Sequence, residues 1–66
     1  MNIFLNGKEI TVSEKITLGQ MLSDGKIMPE LTACELNRTI VRKKDYAATV
    51  LSEGDKVEII QMIGGG

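Results

Sequence analysis

Residues 34–66 read CELNRTIVRKKDYAATVLSEGDKVEIIQMIGGG, and the fold is decided in this half of the chain. Its most strand-prone stretch is Lys56 to Ile63. Strict alternation there puts Val57, Ile59 and Gln61 on one side and Glu58, Ile60 and Met62 on the other. A turn, Ser52-Glu53-Gly54-Asp55, precedes it, and Gly64, Gly65 and Gly66 follow. Moving upstream, Leu31 to Leu36 reads as a strand with Thr32, Cys34 and Leu36 on one face. Asn37-Arg38 is a tight-turn pair, and Thr39 to Val41 is a short return strand. Arg42 to Asp45 is a charged, exposed bend, and Tyr46 and Ala47 begin an irregular or single-turn segment.

Outward to the N-terminus, Met1, Ile3 and Leu5 alternate, with Phe4 on the opposite side. Asn6-Gly7 then separates them from Glu9 to Ser13, where Ile10 and Val12 alternate. Asn-Gly between two such runs predicts a β-hairpin, since both residues tolerate positive φ. Thr17 fits a helix N-cap with Gln20 as its capping-box partner. Leu18, Met21 and Leu22 share one helical face, Gly25 is a C-cap candidate, and Pro29 blocks continuation. The order is β-β-α-β-β-β. One helix must cover one face of one sheet, which makes the chain an α+β roll.

Composition narrows the chemistry. The chain has 66 residues, enough for one domain, with one cysteine and no histidine. An internal disulfide and a Cys/His zinc site are both excluded, and so are Ser-His-Asp and Cys-His catalytic pairs. A chain this short has little room for a deep ligand pocket. A net charge of −1 argues against nucleic-acid binding. The opening residues MNIFLNGKEI lack the pattern of a signal peptide, and no apolar run reaches membrane-spanning length. A cytoplasmic protein without a membrane partner is expected. Glu53 and Asp55 flank a turn glycine and make a poor metal site, so no metal is expected. Cys34, alternating with Thr32 and Leu36, reads as a small core residue.

The three terminal glycines admit a bland reading as a passive tail. They also admit a chemical one. An extended Gly-Gly end can thread a narrow channel and present its carboxylate to another protein's active site, and no β-carbon crowds the carbonyl under attack. A carboxylate is a poor electrophile until adenylation by ATP gives it a leaving group. In that reading Gly66 is a substrate handle worked by a partner, and Gly64 and Gly65 are the part that threads. The domain would span residues 1–63, with 64–66 as a flexible tail.

The element order together with this tail resembles the β-grasp (ubiquitin-like) sulfur carriers, in particular the ThiS family of thiamin biosynthesis. The likeness covers essentially the whole chain and rests on Asn37, Ile40-Val41, Arg42, Tyr46, Gly54-Asp55, Val57-Glu58-Ile59 and Gly65-Gly66, with Asn6-Gly7 at the opening hairpin. The family often has Pro after the Ile-Val pair and Trp at the aromatic position, where this chain has Arg42 and Tyr46. The resemblance implies a mixed sheet of four to five strands, its first and last strands parallel and central, with one main helix on one face. It also implies that the chain is not an enzyme and holds no cofactor of its own. A ubiquitin-activating-like partner would adenylate Gly66 with ATP. A sulfurtransferase or cysteine desulfurase route would supply a persulfide, giving a C-terminal thiocarboxylate, and thiazole synthase would take the sulfur. Carriers for molybdopterin, cysteine or tRNA thiolation, and ubiquitin-like protein modifiers, end in the same chemistry and stay open as alternatives.

Alternation yields one more expectation. With Met1, Ile3, Leu5, Val57 and Ile59 facing the helix, Phe4, Ile60 and Met62 point away from it. The resemblance makes the first and last strands neighbours, so these side chains would form an apolar patch on the uncovered sheet face that docks partners.

Overall fold

The computed structural model describes residues 1–61. Five strands, β1 (Asn2–Leu5), β2 (Lys8–Thr11), β3 (Thr32–Leu36), β4 (Thr39–Val41) and β5 (Lys56–Gln61), form one sheet in the order β2-β1-β5-β3-β4. Helix α1 (Leu18–Asp24) lies across one face, and 3-10 turns run over Pro29–Leu31 and Lys43–Ala48. β1 and β5 pair in parallel, and every other pairing is antiparallel. This is the α+β roll with first and last strands adjacent. β5 is the middle strand and joins a β1–β2 hairpin to a β3–β4 hairpin.

Both hairpins turn on residue pairs in the left-handed region, Asn6 and Gly7 at φ 50 and 84, Asn37 and Arg38 at φ 50 and 70. Such turns match the right-handed twist of the strands they connect. Helix α1 starts where the sequence indicates. The Thr17 hydroxyl accepts from the Gln20 N–H at 3.0 Å. The capping box is only half made: the Gln20 side chain donates forward to Asp24 at 2.7 Å rather than accepting from the Thr17 N–H. Gly25 caps the helix with φ −84, and the left-handed residue is Lys26 at φ 57. Leu31, read as part of β3, lies in the 3-10 turn that Pro29 opens, and residues 62–63, read as the end of β5, lie outside the described residues.

The core lies between the sheet and α1. Ile3, Leu18, Leu22, Cys34 and Val57 are almost fully buried, with Ile16, Met21, Tyr46, Leu51 and Ile59 around them. Gly19 lets α1 approach the 3-10 turn over Lys43–Ala48. A β-carbon there would stand 3.4 Å from backbone atoms of Tyr46 and Ala47. Cys34 is a buried free thiol, so it packs as a small core residue. The Tyr46 ring closes over Thr32 and Cys34. Burial pushes its phenol above the usual range, and the neighbouring Cys34 side chain adds to the rise.

Candidate functional site

The tail issues from β5, so the site is built from whatever fixes that strand. On one side β1 pairs with its first half. The Phe4 N–H donates to the Asp55 carbonyl at 2.8 Å and the Asn6 N–H to the Val57 carbonyl at 2.9 Å. There β1 turns away, and Ile59 would face an empty edge. The Asn6 side chain fills it. Its Oδ1 accepts from the Ile59 N–H at 2.7 Å and its Nδ2 donates to the Ile59 carbonyl at 3.3 Å. A carboxamide carries one acceptor and donors on a planar group, so it can stand in for a strand's peptide.

Asn37 does the same work at the other edge. Its N–H donates to the Lys56 carbonyl at 2.8 Å, its Oδ1 accepts from the Lys56 N–H at 3.0 Å, and its Nδ2 donates to Asp55 at 3.0 Å. Both asparagines occupy hairpin turns, and the sequence reading assigned them only that role. The signal that separates them from ordinary turn residues is three-dimensional: the partners of Asn6 are 53 positions away.

Gly64, Gly65, Gly66 and Met62 lie outside the described residues. Phe4 and Ile60 fall on the sheet face away from α1, as alternation predicts, and Ile60 is 59% exposed. They are not neighbours. Phe4 is in register with Lys56, four positions before Ile60, which separates them by about 13 Å along the strand. Phe4 is half-buried, and its other cross-strand partner is Glu9. Ile60 is opposite Ala33, and Ile40, 73% exposed, lies one row away opposite Glu35. Sequence reasoning grouped Phe4 with Ile60 because it fixed the face of each residue without the register between β1 and β5.

The same register places Glu58 directly opposite Glu35. On the helix side, an open groove of about 600 Å³ runs between the β1–β2 hairpin and the end of α1, lined chiefly by Leu5, Ile10, Val12, Met21 and Ile27. Among the described residues, no three Cys, Asp or Glu side chains converge as metal ligands would. No helix there is long and apolar enough to cross a membrane.

The ThiS family model matches residues 3–66. The chain belongs to the ThiS family. The crystal structure of a thiamine biosynthesis protein (ThiS) from Geobacter metallireducens superposes on it with a TM-score of 0.86, at 35% identity over all of both chains. The sulfur carrier protein ThiS of Bacillus subtilis is 29% identical over 63 residues, 94% of this chain and 96% of that protein. The thiazole synthase of Magnetococcus marinus is 38% identical over 66 residues, all of this chain but only 20% of that protein's length.

Proposed function

We propose that this ThiS-family sulfur carrier works through the carboxylate of Gly66 and serves thiazole formation in thiamin biosynthesis. The observation that carries the reading is the family match, which spans residues 3–66, from the opening strand to the terminal glycines. The likeness to one fifth of a thiazole synthase supports that enzyme class as the acceptor, because there a similar segment shares a chain with the synthase.

The chemistry divides between proteins. A partner transfers AMP from ATP to the Gly66 carboxylate and releases pyrophosphate. A persulfide then attacks the acyl carbon, AMP leaves, and an acyl disulfide forms. A thiolate cleaves the sulfur–sulfur bond, leaving the thiocarboxylate on Gly66 and a disulfide on the donor side. The thiazole synthase accepts that sulfur. This chain supplies a handle and a docking surface, and the catalytic groups belong to its partners.

Intact-mass spectrometry tests the reading. The protein is incubated with ATP, the adenylating enzyme from the same genome and a sulfur donor. Exchange of one oxygen for sulfur at Gly66 is expected. Sulfur mapped to Cys34 would refute the mechanism, and so would thiazole formation supported by a chain lacking Gly65 and Gly66.

A further inference from the structure

The uncovered sheet face carries an arrangement that serves the free molecule poorly. Glu35 on β3 and Glu58 on β5 are directly opposite across an antiparallel pair. The Asn37 N–H bonds the Lys56 carbonyl, so alternation makes 35/58 and 33/60 the hydrogen-bonded pairs. Side chains so placed are neighbours on one face, and like charges in that position repel. Among the described residues neither carboxylate is in an ion pair. Lys56 is two residues away on the same face, and Arg42 follows the end of β4. Yet the ion pair found among the described residues joins the Met1 amine to Glu14. Apolar side chains flank the carboxylates on the side away from Asn37 and Lys56: Ile60 and Ala33 form the next cross-strand pair, and Ile40 is opposite Glu35.

We infer that the Glu35–Glu58 pair is a recognition site for an arginine on the protein that processes the tail, seated between Ile60, Ala33 and Ile40. Charge complementarity selects the occupant. A guanidinium is planar, presents a fork of donors and can bond two carboxylates at once, whereas an ammonium is a strongly hydrated point charge. The exposed apolar side chains call for apolar neighbours around that arginine. Position selects the kind of partner, because Ile60 is in the tail-proximal half of β5 and Glu58 lies two residues before it on the same face. The inference rests on the carrier reading and adds the contact chemistry.

The test compares wild type with E35Q, E58Q and the double variant as full chains, by calorimetric titration onto the adenylating enzyme with thermal melting in parallel. Each glutamine variant removes the repulsion and should melt at or above the wild-type temperature. Each should bind about tenfold more weakly, the loss of a hydrogen bond between charged groups. One arginine bridging both carboxylates makes the effects non-additive, so the double variant should lose less than the product of the singles. The salt dependence of binding should flatten in every variant. Affinities within twofold of wild type in both single variants would overturn the assignment. Weaker binding accompanied by a lower melting temperature would also overturn it, in favour of a structural role. If wild type itself fails to bind the enzyme, the carrier reading falls and this assignment falls with it.

Discussion

Replacing Asn6 with alanine isolates what holds the tail-bearing strand. The substitution removes the two bonds to Ile59, at 2.7 and 3.3 Å, and leaves a part-buried N–H and carbonyl without partners. That loss costs about 1–3 kcal/mol. Alanine at φ 50 adds about 1 kcal/mol of backbone strain. The sum is about 2–4 kcal/mol, against roughly 3–10 kcal/mol of total stability for a domain of this length. N6G separates the two parts. It loses the same bonds without the left-handed strain and should destabilise less than N6A. Urea unfolding gives the totals, and amide hydrogen exchange gives the location. In N6G the Ile59 amide should exchange at least about tenfold faster relative to Glu58 and Ile60. Those two amides point to β3 and should keep their relative protection. The reasoning fails if the Ile59 amide is unaffected, or if N6A costs less than about 0.5 kcal/mol, the size of an ordinary surface change.

Three further outcomes are expected. Tyr46 has a folded pKa above its unfolded value of 10.0, so the unfolded chain releases that proton first and stability falls as pH rises from 10 toward the folded value. The slope should be shallower in Y46F, measured by urea midpoints across that range, and an unchanged slope would contradict the assignment. T17A should lower stability by about 1 kcal/mol through loss of the N-cap bond to Gln20, read from thermal melts. Deleting Gly65 and Gly66 removes no side chain, so the melting curve should shift by less than about 0.5 kcal/mol while adenylation disappears. A large loss of stability would show that those residues belong to the folded unit.

Local pattern was sufficient for most of the fold. Asn6-Gly7 and Asn37-Arg38 announced two hairpins, Thr17 announced the helix start, and alternation put Ile3 and Val57 inside and Ile60 outside. Each of these is set within a few residues. The site was less legible because its parts depend on register between distant strands. Alternation fixes the face of Phe4 and of Ile60 but not their spacing. Nor does it show that Glu35 meets Glu58, or that the Asn6 amide reaches Ile59. The terminal glycines pointed to carrier chemistry through what glycine lacks, which needs no three-dimensional information.

The place of β5 between two hairpins has a consequence for biosynthesis. The β1–β2 ribbon and the β3–β4 ribbon share no strand pairing with each other, and both bond to β5. An isolated two-stranded ribbon is marginal in water. While residues 56–61 are still inside the ribosome, the emerged chain holds two such ribbons with an unclosed gap between them. Closure must wait for contacts that span most of the chain, a topology that folds slowly. A chain broken off before β5 therefore cannot become a stable fold. The strand that precedes the terminal glycines in sequence is also the strand without which there is no folded protein.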